Sequence, residues 1–151
     1  MIYSVERANY DNAIYIMNNL RKQDIEEIEA FNCSPHSVIE SFENSVETLV
    51  GLDSNGIPFV LFGHGVEHVL SDTAVIWAIG TDVINKYKTT FLRWGYGYTH
   101  ELLTRYKILT NKVHVKNTLS IKFLKWLGFS FSEPKIHRIT KEVYFDVRIG
   151  G

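Results

Sequence analysis

Apolar residues recur along the chain at helical spacing first and at strand spacing later, and this alternation orders the elements. Val5 and Arg7 close a short opening strand, and Asp11 then offers a side-chain oxygen as the cap of a helix carrying Ile14, Ile16, Met17 and Leu20. Asp24, followed three residues later by Glu27, is a capping-box-like start, with Ile25, Ile28 and Phe31 as the apolar stripe behind it. Ser34 before Pro35 starts a third helix, because proline's missing N–H costs nothing in a first turn, and Val38, Ile39 and Phe42 then face one way. From Glu47 the spacing changes to that of strands. Thr48 to Leu52, a turn at Asp53-Ser54-Asn55-Gly56, and Pro58 to Val66 predict a hairpin. Ala74 to Ile79 is apolar without alternation, as a central strand covered on both faces requires.

The second half repeats the strand-helix rhythm. Tyr87, Phe91, Trp94, Tyr98, Leu102 and Tyr106 recur at spacings of three and four and predict a long helix with an aromatic stripe. Ile108 to Val115 follows as a strand, Thr118 to Leu127 as a helix, and Phe129 to Phe131 enters another strand. In the last strand Val143, Phe145, Val147 and Ile149 alternate with Glu142, Tyr144, Asp146 and Arg148. One face is therefore wet, which predicts a place toward the sheet edge.

Composition narrows the setting more than the function. The 151 residues fit one domain spanning 1–151, with 45% hydrophobic and 22% charged residues, ordinary values for a globular α/β protein. The apolar runs are strand-length, far short of a membrane span, and the start MIYSVERANYDN lacks the basic head and long apolar stretch of a signal peptide. An intracellular site of action is expected. Sixteen Lys and Arg against seventeen Asp and Glu give no simple electrostatic drive toward nucleic acid. The signs are nevertheless uneven, with residues 24 to 47 acidic and Lys86 to Lys125 largely basic, a pattern read as solvated helix faces. The lone Cys33 excludes an intramolecular disulfide and is read as a small, partly buried hydrophobe.

The order of elements, together with one local block, resembles the GNAT (N-acetyltransferase) fold. Val113-His114-Val115-Lys116-Asn117 leads through a ten-residue helix to Gly128-Phe129, the spacing at which GNAT enzymes place an asparagine, a helix and a Gly-Phe pair after the fifth strand. The residue types are also sensible physically: Asn117 can cap the helix, Gly128 permits a left-handed end, and Phe129 returns to the core. If acetyl-CoA binds, the resemblance implies backbone pairing of its pantetheine arm at Ile79 and Thr81, with Asn117 assisting.

Two departures weigh against conventional acetyl transfer. The family's glycine-bearing pyrophosphate loop is missing from Gly80 to Thr90, and Arg93-Trp94-Gly95-Tyr96-Gly97 is a decoy inside the long helix. The family's general-acid tyrosine falls at Leu124, which has no proton to give, while Asp82 and Glu67 are bases without a spacing argument behind them. Trp77 to Asp82, Phe91-Leu92-Arg93, Leu109 to Val113 and the Asn117 to Phe129 block are more closely similar to a small GNAT-like family of short-tailed bacteriophages. That family is associated with internal virion proteins and morphogenesis. The likeness implies phage structural proteins as partners, the host cytoplasm or the virion as the location, and no catalytic residue. An active acetyl-CoA-dependent N-acetyltransferase is the alternative.

Other constellations are read as structural. His64 and His68 span roughly 13 Å if they lie on a strand, too far to share one metal ion. His100 and His114 are brought toward each other by the element order but are read as ordinary histidines. Trp94 and Tyr96 cannot both face the sheet, which leaves one of them for a partner.

Overall fold

The computed structural model describes residues 4–151. Strand β1 (Ser4–Arg7) leads into α1 (Tyr10–Met17), α2 (Lys22–Ala30) and α3 (Ser37–Asn44). Then come β2 (Glu47–Leu52), β3 (Pro58–Gly65) and β4 (Thr73–Gly80), a 3-10 turn (Asp82–Lys86), α4 (Lys88–Leu102) and β5 (Ile108–His114). Helix α5 (Thr118–Leu127), β6 (Ser130–Phe131), β7 (Lys135–Ile136) and β8 (Val143–Gly150) complete the described chain. Among the described residues eight strands form one mixed sheet in the order β1-β2-β3-β4-β5-β8-β6, with β7 also paired to β8.

All three of the first helix starts differ from their sequence signals. Asn9, not Asp11, caps α1: its side chain accepts from the Asn12 N–H while Asn12 returns the bond to the Asn9 N–H, and both are 2.9 Å. Asp11 instead lies in the first turn, where a carboxylate meets the positive helix end, and Leu20 falls beyond the helix. Helix α2 starts at Lys22 with no side-chain cap; its start is tied down by the Arg21 N–H donating to the Gly80 carbonyl at 3.0 Å. Helix α3 begins two residues past Pro35, after a tight turn closed by the Ser37 and Val38 N–H groups on Ser34 and Pro35.

Alternation along the strands divides the apolar side chains into two cores. Val50 and Leu61 point to one face and are covered by Ala13, Ile16, Val38 and Ile39 of α1 and α3. Val60 and Phe62 point to the other, together with Leu109 and Val113, and are covered by α4 and α5 through Phe91, Tyr98, Leu102, Leu119 and Phe123. Burying each of these large side chains stabilises the fold by roughly 1.5–3 kcal/mol. Helix α4 runs unbroken through both glycines: a Cβ on Gly95 would meet only Leu127 Cδ1 at 3.9 Å, and one on Gly97 would meet nothing within 4 Å. Trp94 packs on Phe59 with ring centroids 5.9 Å apart, while Tyr96 is the aromatic turned outward.

One strand expectation holds and one is corrected. Strand β8 lies toward the sheet edge, with β5 on one side and only the two-residue β6 and β7 on the other. At one of its polar alternate positions Asp146 meets Lys112 of β5 at 2.8 Å and also pairs with Lys135 of β7. Strand β4 is central but not covered on both faces, since Val75 is 44% exposed and Ala78 is exposed as well. The cause is the neighbouring strand. Parallel pairing of β4 with β5 is confined to Thr73–Val75 against Ile108–Thr110; beyond it the strands diverge, and the divergence opens a large cleft.

Candidate functional site

The divergence of β4 from β5 creates a specific chemical problem. N–H groups along a strand point to alternate edges, so the groups that β4 and β5 turn toward each other lose their partners where pairing stops. On β4 the Thr81 N–H, just past the strand end, donates to the Phe59 carbonyl on the β3 side at 3.0 Å. Gly80, one residue earlier, therefore faces β5. Its N–H donates to Asp24 Oδ2 at 2.8 Å. On β5 the Lys112 N–H donates to the side-chain oxygen of its neighbour Asn111 at 2.7 Å, and the His114 N–H donates to the Glu27 carboxylate. Side chains of the chain itself thus meet the N–H groups at Gly80, Lys112 and His114.

Helix α2 supplies two of those side chains because Arg21, Asp24 and Glu27 recur every three residues and so lie on one face, directed at the gap. Arg21 Nε and Nη2 each donate to Asp24 at 3.0 Å, a two-pronged ion pair in which both side chains are nearly inaccessible. Arg21 Nη2 also donates to Asn117 Oδ1 at 2.7 Å, while Asn117 Nδ2 donates to Glu27 Oε2. The four side chains therefore form one network joining α2 to the start of α5. Burial raises both carboxylates, Asp24 against the lowering effect of Arg21 and the Gly80 N–H, and Glu27 to about 7. For Glu27 the Asn117 and His114 hydrogen bonds pull the other way, and the charge on Asp24 adds to the rise.

Glu27 borders two cavities. A cleft of about 700 Å3 lies under α2 and α3, floored by Val75, Trp77, Ala78 and Ile79 and walled by Phe31 and Phe131. A smaller cavity of about 100 Å3 lies on the α4–α5 side, lined by Phe91, Phe123, Leu124 and Phe129. Leu124 contributes only hydrocarbon there. Cys33 is exposed at the rim of the larger cleft rather than partly buried, because the left-handed turn at Asn32 lifts it off the helix end.

The residues named from the family resemblance come together here, but not in the roles expected. Asn117 is buried and makes no side-chain cap to α5; its amide is committed to Arg21 and Glu27. Thr81 is buried, its N–H is taken by Phe59, and its hydroxyl accepts from the Val83 N–H at 3.2 Å to start the 3-10 turn. Ile79 is paired with Leu61 on β3, and by alternation its N–H faces that strand with Thr81 rather than the gap. The residues present do not fit a pantetheine arm laid between β4 and β5, since Asp24, Glu27 and Asn111 already hold the polar edges. Nor does Asp82–Lys86 form a phosphate cradle: it is a 3-10 turn that runs straight into α4.

Gly128 and Phe129 behave as expected. Gly128 ends α5 with φ 99°, its N–H on the Lys125 carbonyl, and Phe129 is buried. The histidines are structural. His64 is fully buried, with Nδ1 2.7 Å from the Tyr98 hydroxyl and Nε2 3.2 Å from that of Tyr106, and it lines neither cavity. His114 pairs with Glu142 at 3.1 Å and His100 stacks on Tyr96. Asp82 and Glu67 are exposed and outside both cavities. Sequence reasoning missed Arg21 altogether and read Asp24 and Glu27 as a helix start. The available signal was the repeat of three ionisable residues at spacing three on a helix whose other positions include Ile25 and Ile28.

Solved structures share this architecture. A GCN5-related N-acetyltransferase from Kribbella flavida superposes with TM-score 0.71 at 12% identity, covering 99% of this chain and 98% of that one. A GNAT-family acetyltransferase from Bacillus anthracis gives TM-score 0.70 at 7% identity over 98% and 94% of the two chains. At such identities the likeness is one of fold, and the fold is that of the GNAT acetyltransferases. No curated protein matches the chain in sequence. The family described as "Bacteriophage T7, probable scaffold protein Gp13" matches residues 52–134, which include β3, β4, α4, β5, α5 and β6 and exceed half of the sequence. The chain belongs to that bacteriophage T7 Gp13 family of probable scaffold proteins, built on a GNAT-like frame.

Proposed function

We propose that this protein acts in phage particle morphogenesis, through contact with phage structural proteins inside the host cell and without conventional acetyl transfer. One observation carries the reading: the N–H groups at Gly80 and His114 that face the gap between β4 and β5 are already taken by Asp24 and Glu27, with Asn117 holding Glu27 in place, where a thioester cofactor arm would need them. Leu124 and the glycine-free junction before α4 agree with it, as does the scaffold description of the family. GNAT folds carry function in their sites rather than in their topology, and here the polar edges of the site are taken by the chain's own side chains.

The alternative, an active N-acetyltransferase of unknown acceptor, is favoured by the large cleft and by a Glu27 carboxyl held near 7, in the range of a general base. Calorimetry with acetyl-CoA separates the two. No heat of binding is expected from the wild type. Micromolar binding together with acetylation of an amine acceptor would overturn the reading.

A further inference from the structure

The helices on the two faces of the sheet differ in charge, and each face exposes aromatic surface. Helices α1 and α3 contain no Lys or Arg, and they carry Asp11, Glu40 and Glu43. Beside these acids Tyr10 is 52%, Ile14 43% and Tyr15 40% exposed. Across the sheet, α5 contains no acidic residue, and the single acid of α4, Glu101, is held by Arg105 at 2.9 Å. There Tyr96 is 48% and Trp126 56% exposed, with ring centroids 5.7 Å apart. Arg93, one turn before Tyr96, and Lys122, one turn before Trp126, pair with no acid among the described residues, and Asp11 and Glu40 pair with no base.

We propose that the protein associates with copies of itself head to tail, the acidic α1–α3 face of one copy seated on the basic α4–α5 face of the next. The complement is present on the chain itself: unpaired cations beside exposed aromatics on one face, and unpaired carboxylates beside exposed aromatics on the other. Trp, Tyr and Arg are the side chains that dominate association energy, and opposite charge around them fixes which faces meet. The faces lie on opposite sides of the sheet, so no copy can satisfy its own. A two-fold dimer would bring like face to like face and oppose equal charges, whereas a heterologous contact pairs unlike faces and leaves one of each free to continue into a ring or filament. A formal net charge of −1 leaves little long-range repulsion to oppose this. The inference is independent of whether the protein transfers acetyl groups.

Sedimentation velocity of the full chain over a concentration series, at low and at high salt, tests it. Sedimentation should rise with concentration at low salt and return toward the monomer at high salt. Trp126→Ser should weaken association by about tenfold or more, and Glu40→Lys with Glu43→Lys should do likewise, with unchanged circular dichroism. If Trp126→Ser does not fold, the exposed Lys122→Glu serves for the same face. Mixed in equal amounts, the two single-face variants should form a capped 1:1 dimer, since each still owns the face the other lacks. A wild type that stays monomeric at low salt throughout, association that the variants leave intact, or a mixture that fails to pair while the wild type assembles would each overturn the proposal.

Discussion

Replacing Glu27 by glutamine should reverse the usual expectation for losing a buried charge. The carboxyl is pushed up from 4.5 to about 7, mainly by burial, so across that interval the folded protein holds a proton that the unfolded chain releases. Stability from this group is therefore fully present below about pH 4.5, declines as pH rises, and is gone once pH passes about 7. At about 1.4 kcal/mol per pKa unit the whole interval from 4.5 to about 7 amounts to a ceiling of roughly 3–4 kcal/mol. Glutamine keeps an oxygen to accept from Asn117 and from the His114 N–H, is neutral at every pH, and so removes the decline.

Urea melts of wild type and Glu27→Gln from pH 4 to pH 8 measure the difference directly. The two should agree near pH 4, where both side chains are neutral, and separate as pH rises, with the variant more stable at pH 8 by about 2–3 kcal/mol. In thermal terms that is roughly 4–12 °C for a chain of this size. Burial also raises Asp24, which contributes a decline of the same sign to both proteins and cancels in the comparison. A variant less stable than wild type at pH 8, or a gap that does not change with pH, would mean that Glu27 is ionised in place and that the network is held together by charge.

The rest of the network and two glycines give further outcomes. Arg21→Met removes both bonds to Asp24 and the bond to Asn117, stranding a buried carboxylate, and should cost about 3–5 kcal/mol in urea melts; adding Asp24→Asn should recover at least about 1 kcal/mol, because the amide oxygen still accepts from Gly80 without a charge. Gly97→Ala, in the interior of α4 with nothing within 4 Å of the new Cβ, should stabilise by about 1 kcal/mol at high salt. Gly63→Ala should do the opposite, since its Cβ would lie 2.2 Å from the Glu47 carbonyl oxygen and force β2 from β3; a melting temperature equal to wild type would contradict that.

What could be read from the sequence follows the range of the forces involved. The hairpin of β2 and β3, the stripe of α4, and the Gly128-Phe129 end of α5 are set by neighbours within a few residues, and their signals were local. The short strands beyond β8 have no such local signal: β6 and β7 are two residues each and are defined only by their pairing with β8, whose alternation already places it near the edge. Asp24 and Glu27 show the same limit in the site. A spacing of three serves a capping box and serves equally to aim two carboxylates off one helix face, and only partners at Gly80, His114 and Asn117, 56 and 93 positions from Asp24 for the first and last, distinguish the two. Asn117 likewise has a nearer task on offer, capping α5, but a guanidinium from 96 residues away has the stronger claim on its oxygen.

The same contacts explain how the GNAT frame can persist with no ligand pairing the edges of its central gap. Diverging strands leave N–H groups that must find acceptors, and an unpartnered buried donor costs about 1–3 kcal/mol. A ligand can supply the acceptors, but then the fold depends on that ligand. Here α2 and Asn111 supply them permanently at Gly80, His114 and Lys112. The burial of two carboxylates to achieve this is itself unfavourable, and the shared amide of Asn117 and the guanidinium of Arg21 offset it by donating to Glu27 and Asp24. At the divergence of β4 from β5, beside the cleft it opens, these contacts make a joint between α2, the sheet and α5.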